Sequence, residues 1–179
     1  TTGTTGTTGT TGTTGGTATA AADGLIVIDN DVFNVTINAR NLPDGEHMQH
    51  IHIGTACPTT ANDTNRDGYV DAKEASAFSG GALIPLDGDL KSQDAGSGSY
   101  PSGSTYTYTE TTSFQAMEQD LRLGDPNPGD DIVKLGPNDT LNLEGKVVEI
   151  HGVPAGTTLP ATVQGSGTET PQASIPVLC

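Results

Sequence analysis

Residues 32–40 of this 179-residue chain read Val-Phe-Asn-Val-Thr-Ile-Asn-Ala-Arg, and they indicate the fold class. Four apolar residues, Phe33, Val35, Ile37 and Ala39, alternate with polar ones. Because successive side chains of a β-strand point to opposite faces, the stretch predicts a strand with one buried and one exposed face. Such strands are typical of antiparallel sheets that cover a core with one face.

Shorter segments of similar character follow along the chain, separated by turns rich in Gly, Pro and Asp. They predict further strands at residues 24–28, 48–53, 82–86, 104–110, 132–135, 140–143, 146–150 and 174–178. The longest helical pattern lies at residues 113–123, where Phe114, Met117 and Leu121 form an apolar stripe. Many short strands and one short helix predict an all-β antiparallel sandwich or barrel.

The charge of the chain restricts its partners. Its 22 Asp and Glu residues against 7 Lys and Arg give a net charge of −15. Nucleic acids and anionic membrane surfaces bind clustered cations, so this balance argues against both and favours a protein that binds cations. No apolar run approaches the ~20 residues of a membrane-spanning helix, so we expect no membrane insertion.

The two cysteines, Cys57 and Cys179, bear on the compartment. A free thiol at the end of an exposed tail is unexpected in an oxidising compartment, so the pair is predicted to form one disulfide. Closing a loop of this length would stabilise the fold by roughly 4–5 kcal/mol. The alternative is a cytosolic protein with two unrelated thiols. Because the chain begins at Thr1 rather than Met, we expect a processed, exported protein, extracellular or on the cell surface.

Residues 1–22 consist almost entirely of Thr, Gly and Ala and begin with five copies of Thr-Thr-Gly. They predict an extended low-complexity leader, distinct from a body at residues 23–179. The three-residue period favours a polyproline-II-like rod, which a neighbouring subunit, attached sugars or both would order. The candidates for O-glycosylation are Thr1, Thr2, Thr4, Thr5, Thr7, Thr8, Thr10, Thr11, Thr13 and Thr14.

Residues 63–74 read Asp-Thr-Asn-Arg-Asp-Gly-Tyr-Val-Asp-Ala-Lys-Glu and match a calcium-binding loop of the EF-hand type. Gly68 occupies the sixth position, where the loop needs a sharp turn. Oxygen ligands at alternating positions can enclose a hard cation such as Ca²⁺. The predicted ligands are Asp63, Asn65, Asp67, Tyr69, Asp71 and Glu74.

The flanks of this loop change its expected role. Residues 74–78 can form the exiting helix, but residues 57–61 contain Pro58 and cannot form the usual entering helix. The loop is also single, whereas calcium sensors use paired loops that open a groove. We therefore expect residues 58–80 to form an insertion whose structure Ca²⁺ stabilises, rather than a calcium-dependent switch.

The four histidines, His47, His50, His52 and His151, are candidate ligands of copper or zinc. His50 and His52 are two residues apart, so a strand places both imidazoles on one face. His151 follows the predicted strand at residues 146–150 and could converge on them, with His47 as a further ligand. The alternative is that these histidines are packing and hydrogen-bonding groups.

Several of these residues resemble the Cu/Zn superoxide dismutase family. His50-Ile-His52, followed by Cys57, is similar to the family's copper-ligand strand and its disulfide cysteine. Residues 145–152 resemble the later strand that carries another copper histidine. Cys179, after a short apolar strand, is similar to the second disulfide cysteine.

This resemblance covers residues 24–179 in outline and implies a Greek-key antiparallel β-sandwich. The Cys57–Cys179 bridge becomes an expected feature, and the calcium loop stands where the family has its metal-binding loop. Secreted CHRD-like relatives of this sandwich also carry a His-x-His strand without evident dismutase chemistry. The expected chain is thus a sandwich with one short helix, an EF-hand-type loop and an extended Thr/Gly leader.

Departures from the family argue against dismutase activity. No histidine lies between His52 and His151, so the family's zinc site cannot be assembled. No Lys or Arg follows His151, although the family uses an arginine there to attract superoxide. A net charge of −15 also opposes the steering of a small anion. We therefore expect no enzyme activity, and a mononuclear copper or zinc site as the remaining chemistry.

Three functions remain open. The favoured one is a secreted structural subunit whose residues 18–28 add as a strand to the sheet edge of another copy. A head-to-tail contact of this kind propagates into a filament rather than closing into a dimer. The alternatives are a dismutase-like copper or zinc metalloprotein and a monomeric secreted calcium-binding module.

Overall fold

The structure, a computed structural model, describes residues 3–9, 19–92, 98–124, 132–165, 170–173 and 175–179. The strands in this part are β1 Gly3–Gly9, β2 Ala21–Asp29, β3 Val32–Arg40, β4 Gln49–His52, β5 Ala82–Pro85, β6 Thr105–Ser113, β7 Val148–His151 and β8 Pro176–Leu178. The helices are α1 Ala72–Ser79 and α2 Phe114–Leu123, with a 3-10 turn at Thr60–Asn62. The described chain is therefore mostly β, as predicted, and its two short helices lie at the predicted helical pattern and at the predicted exiting helix of the calcium loop.

The strands form two antiparallel sheets of four, in the orders β1-β2-β3-β6 and β5-β4-β7-β8. The alternation of β3 is confirmed, because Phe33, Val35, Ile37 and Ala39 are all buried. β3 pairs along its whole length with β2 on one side and β6 on the other.

Both sheets contribute to one hydrophobic core. Phe33 of β3 belongs to the same buried cluster as Ile51 of β4, Ile84 of β5, Ile150 of β7 and Leu178 of β8. Burying side chains of this size stabilises a fold by roughly 1.5–3 kcal/mol each. Because the two sheets share this core, the architecture is sandwich-like.

Helix α2 is fixed at its start by polar contacts and along its length by burial. Ser113 is the N-cap, and Asp31 in the β2–β3 turn accepts hydrogen bonds from the Ser113 hydroxyl and the backbone N–H of Gln115. Met117 and Leu121 are completely buried, as the predicted stripe requires. The prediction of this helix is confirmed to within one residue at its start.

Residues 132–135 and 140–143 were predicted as strands and form none in the described chain. Arg122 of α2 donates hydrogen bonds to the carbonyl oxygens of Gly136 and Asp139. Within the predicted strands themselves, Leu135 donates its backbone N–H to the carbonyl oxygen of Leu121, and Leu141 donates its N–H to the Glu118 carboxylate. Helix α2 thus binds backbone groups that a neighbouring strand would otherwise bind. An alternating sequence does not show whether the backbone groups of a segment bind a neighbouring strand or a helix.

The described part of the leader, Gly3–Gly9, is extended but pairs as an antiparallel strand with β2 instead of forming a polyproline-II-like rod. β2 begins at Ala21, so the predicted boundary after residue 22 falls inside a strand. The predicted docking segment was residues 18–28. Its residues 21–28 belong to β2 and lie inside the chain's own sheet. The candidates Thr1, Thr2, Thr10, Thr11, Thr13 and Thr14 lie outside the described residues.

Cys57 and Cys179 form the predicted disulfide, which spans 122 residues and leaves no free cysteine. It joins the start of the insertion to the residue that follows β8. Disulfides persist in oxidising compartments, so the bridge indicates such a compartment. Neither α1 nor α2, nor any other helix in the described ranges, has the length and apolar character needed to cross a membrane.

Candidate metal centre

The candidate centre lies on two neighbouring strands, β4 and β7, which pair antiparallel with His50 opposite Glu149. Ile51 and Ile150 of these strands belong to the hydrophobic core. Because side chains alternate along a strand, the neighbours of these two residues lie on the opposite face. That face carries His50, His52, Glu149 and His151.

These four side chains are buried although they lie on the face away from the core. Their relative exposures are 2% for His50, 7% for His52, 1% for Glu149 and 4% for His151. Buried polar groups are costly unless something satisfies them, so each of these groups needs a partner.

Three of the four bring metal-ligating atoms together. One ligating nitrogen each from His50, His52 and His151 lies within 4.8 Å of the other two, and no other such group of three occurs in the described residues. In a tetrahedral zinc site, bonds of about 2.1 Å place neighbouring ligand atoms about 3.4 Å apart. Small side-chain adjustments would therefore bring these nitrogens to bonding distance.

Hydrogen bonds determine which nitrogen of two histidines is available. Nδ1 of His52 lies 2.9 Å from the carbonyl oxygen of Gly80 and must donate to it, which leaves Nε2 as a lone-pair donor. Nε2 of His50 lies 3.2 Å from the hydroxyl of Tyr100, while its buried Nδ1 has no hydrogen bond within the described residues. One ring nitrogen anchored and the other available is typical of metal-ligating histidines.

The surroundings also favour the protonation state that binds metals. Burial, reinforced by the nearby His151 and His52, lowers the pKa of His50 well below its usual value. His50 is thus a neutral imidazole, the form that ligates a metal. Burial raises the pKa of Glu149, and His52 and the Ser79 hydroxyl partly oppose this shift.

His47, the fourth candidate histidine, does not join this group. Its Nδ1 lies 2.8 Å from the carbonyl oxygen of His151, and its Nε2 lies 2.8 Å from that of Pro43. Its ring stacks on Tyr106. Both ring nitrogens contact backbone acceptors, so His47 is a hydrogen-bonding group, the alternative that the sequence left open.

The predicted calcium loop has the backbone turns that its motif requires. Gly68 at the sixth position has a φ of 95°, and Arg66 has a φ of 61°. The Asp63 carboxylate accepts hydrogen bonds from the N–H groups of Asp67 and Gly68 at 3.1 and 2.9 Å. The N–H of Tyr69 donates to Asp67 at 3.0 Å. The loop therefore curls around its own acidic side chains.

Glu74, the last predicted ligand, closes the loop. Its Oε1 accepts hydrogen bonds from the backbone of Thr64 and Asn65 at 2.8 and 3.2 Å. Asp71 and Glu74 also form a capping box at the start of α1. Unlike the histidines, the loop carboxylates in the described chain are not gathered into a set of three ligating atoms within 4.8 Å.

The electrostatics of the loop favour ionised carboxylates. A hydrogen bond from Thr162 is the main cause that lowers the pKa of Asp67. Burial raises the pKa of Glu74, but hydrogen bonds from Thr64, Asn65 and Asp71 outweigh it and lower the pKa overall. Ionised carboxylates are the form in which a calcium loop binds its ion.

Sequence reasoning missed Glu149, Tyr100 and Gly80. Glu149 precedes His151 by two residues, the same spacing as His50 and His52, and that spacing could have revealed it. Tyr100 and Gly80 come from loops distant in sequence, and no local pattern marks them.

Comparisons with protein families, curated proteins and solved structures give no match for this chain. The resemblance to Cu/Zn superoxide dismutases therefore stays a prediction based on the residues quoted for it. The chemistry and geometry of the chain itself are the basis for a function.

Proposed function

We propose that this protein is a secreted structural subunit that assembles head to tail with other copies through its N-terminal strand. The observation that supports this proposal is the pairing of β1 with β2 at the outer edge of a sheet. β1 reads Gly-Thr-Thr-Gly-Thr-Thr-Gly and contains no apolar residue. Backbone hydrogen bonds are what such a strand offers its neighbour, and the leader of another copy offers the same ones.

The repeat makes such an exchange easy. Moving the leader by three residues superimposes Thr-Thr-Gly on Thr-Thr-Gly, so its sequence does not define a unique register on β2. Strands with weakly specified register are prone to alternative pairing and swapping between copies. A swapped leader makes a head-to-tail contact, which extends into a filament.

An apolar cleft beside β2 supports the same proposal. Its lining includes Leu25 and Ile26 of β2, Ile150 of β7 and Leu178 of β8. Leu25 is 42% exposed, which is high for a large apolar side chain in a strand. A neighbouring subunit docked over this cleft would remove that surface from water, with a gain of roughly 25 cal/mol per Å² buried.

Electron microscopy and light scattering of the purified protein test this proposal. The wild-type protein is expected to form filaments. Replacing Thr4, Thr7, Thr10 and Thr13 with proline should abolish them, because these residues are three apart and alternate in parity, so in any register of the leader some of them lose an N–H that faces β2. The matched control replaces the same residues with serine and should still assemble. A wild-type protein that stays monomeric under all conditions would contradict the proposal.

Within this proposal, Ca²⁺ and the disulfide brace each subunit. The ion would be held in the loop at residues 63–74 by the side chains and backbone oxygens that the motif assigns. The fold would be a Greek-key sandwich of the dismutase type, located outside the cell. Attached sugars on the leader threonines would be a further partner.

A second candidate function is a mononuclear copper or zinc metalloprotein, which the group His50, His52 and His151 favours. The residues fit such an ion, since Gly80 and Tyr100 anchor the outer nitrogens of two rings and leave the inner ones available. The ion would cross-link β4 and β7 and neutralise buried lone pairs.

Metal analysis of the protein after mild dialysis tests this second function. One equivalent of copper or zinc is expected in the wild-type protein, and its loss is expected in the His50→Ala variant. The His47→Ala variant is the matched control and should retain the metal. A metal content limited to calcium would contradict this function.

A further inference from the structure

We infer that Glu149 is the fourth ligand of the metal centre and completes a closed set of three imidazoles and one carboxylate. This inference rests on the second candidate function, the binding of a metal by His50, His52 and His151. It adds an anionic ligand and a four-coordinate set of the kind that Zn²⁺ takes in structural sites.

The distances place the carboxylate at the edge of the histidine group. Oε2 of Glu149 lies 3.4 Å from Nε2 of His52 and 3.8 Å from Nε2 of His151. Ligand atoms in a tetrahedral zinc site are about 3.4 Å apart. The carboxylate oxygen therefore already stands at the spacing of a ligand relative to His52 and close to it relative to His151, and a side-chain adjustment would bring it into the 4.8 Å group that the three histidine nitrogens form.

The hydrogen bonds of His52 leave lone pairs of His52 and Glu149 facing each other, and a positive charge between them would stabilise the pair. Because Nδ1 of His52 donates to Gly80, a neutral His52 turns the lone pair of Nε2 toward the lone pairs of Oε2. Oε1 of Glu149 is also buried and makes no hydrogen bond of ordinary geometry within the described residues, although the Ser79 hydroxyl is near enough to this carboxyl to lower its pKa. A cation between Nε2 and Oε2 satisfies both atoms at once, and a shared proton is the competing explanation.

The charge balance of the site agrees with this set. A buried carboxylate is costly unless a charge compensates it, and the ion pairs of Glu149 in the described chain are with His52 and His151 alone. A divalent metal bound to three neutral imidazoles carries two positive charges, and the carboxylate reduces this to one. The metal thus compensates the buried carboxylate fully, and the carboxylate compensates half of the charge of the metal.

The ligand set also bears on the metal and its role. Three imidazole nitrogens and one carboxylate oxygen suit Zn²⁺ when they are arranged tetrahedrally, whereas Cu(II) favours a square-planar or tetragonal arrangement and Cu(I) favours soft sulfur ligands. A four-coordinate zinc site with four protein ligands has no open position and is structural rather than catalytic. Glu149 would therefore make the centre a cross-link between β4 and β7.

Co²⁺ replaces Zn²⁺ in such sites, and its visible spectrum reports the coordination number. We expect the full-length wild-type protein to give an intense tetrahedral spectrum, and Glu149→Gln to weaken it and to lower Zn²⁺ affinity by at least about tenfold. Glu144→Gln removes an exposed carboxylate in the preceding loop and is the matched control, with no expected change. Far-UV circular dichroism checks that each variant is folded.

A second measurement needs no variant. If Glu149 completes the centre, adding azide leaves the Co²⁺ spectrum of the wild-type protein unchanged, because no water position is open to the anion. A spectrum that shifts with azide, or one that is identical in wild type and Glu149→Gln, would overturn the role of Glu149 and leave the three-histidine centre intact. A wild-type protein that binds neither Zn²⁺ nor Co²⁺ would refute the centre itself.

Discussion

Nδ1 of His52 donates a hydrogen bond to the carbonyl oxygen of Gly80, and Gly80 is the C-cap of α1. The N-cap of the same helix is Asp71, a predicted ligand in the calcium loop. One helix of eight residues therefore joins the two candidate metal sites. Order at its first turn is transmitted to its last, because the backbone hydrogen bonds of a helix form cooperatively.

This connection predicts that Ca²⁺ tightens the binding of Zn²⁺. Calcium should fix α1 and hence the Gly80 carbonyl that orients His52. Competition titrations with a chromophoric zinc chelator, with and without saturating Ca²⁺, should show a several-fold gain in Zn²⁺ affinity. By linkage, Zn²⁺ should improve Ca²⁺ affinity by the same factor.

Substitution of Glu74 tests the same coupling from the other side. Glu74→Gln should lower Ca²⁺ affinity and remove the calcium effect on zinc, whereas Asp44→Asn, at an exposed carboxylate outside the loop, should change neither. Chelation of calcium should also lower the melting temperature of the wild-type protein. Equal zinc affinity in a calcium-bound and a calcium-free protein would show that α1 does not couple the sites.

Removal of the disulfide should destabilise the fold by roughly 4–5 kcal/mol, the loop-closure entropy expected for a bridge spanning 122 residues. The double variant Cys57→Ser with Cys179→Ser avoids a leftover thiol. Urea unfolding of this variant and of the oxidised wild type measures the difference. A loss below about 1 kcal/mol would indicate that the unfolded chain is already restrained in other ways.

The protein should lose stability in alkali because of two tyrosines, the buried Tyr108 and the partly buried Tyr106. Burial raises the pKa of Tyr106 and of Tyr108 above their usual range, and Tyr108 also donates to the carbonyl oxygen of Asp87 at 2.7 Å. The folded state thus holds these protons more tightly than the unfolded chain. Their contribution to stability is complete below the unfolded pKa of about 10 and is lost as the pH rises above it.

A spectrophotometric titration checks this prediction. The tyrosinate absorbance of Tyr106 and Tyr108 should develop only together with unfolding, followed by circular dichroism. Tyr106→Phe should reduce the amplitude of that cooperative phase. Free titration of both groups in a folded protein would contradict the raised pKa values.

Because one face of β3 lies in the shared core, shortening a side chain of β3 should destabilise the fold strongly at a buried position and weakly at an exposed one. Phe33 is completely buried, whereas its neighbour Val32 is 50% exposed. Phe33→Ala should lower the free energy of unfolding by about 3–5 kcal/mol, and Val32→Ala, the control, by less than about 1 kcal/mol. Urea denaturation measures both. Similar losses at the two positions would contradict the assignment of faces.

The features that could be predicted from the sequence are those encoded within a few neighbouring residues. The alternation of β3 and the stripe of α2 are local periodicities, and each is confirmed. The disulfide was predicted from the chemistry of Cys57 and Cys179 and is also confirmed.

The features that were missed depend on partners distant in sequence. Helix α2 replaces a strand partner for Leu135 and Leu141, and Tyr100 and Gly80 approach the histidines from separate loops. The leader pairs with β2 although its composition has no apolar periodicity, because backbone groups form that ladder. Local pattern carries no information on such contacts.

The repeated leader has a mechanical consequence. β1 occupies seven residues, fewer than half of the fifteen in the five Thr-Thr-Gly repeats. Tension along a strand loads its whole ladder in shear, and a slip of one repeat, about 10 Å, restores an equivalent ladder. A filament joined by this strand would lengthen in small steps and dissipate work at each one. Its junctions would then yield under load without parting.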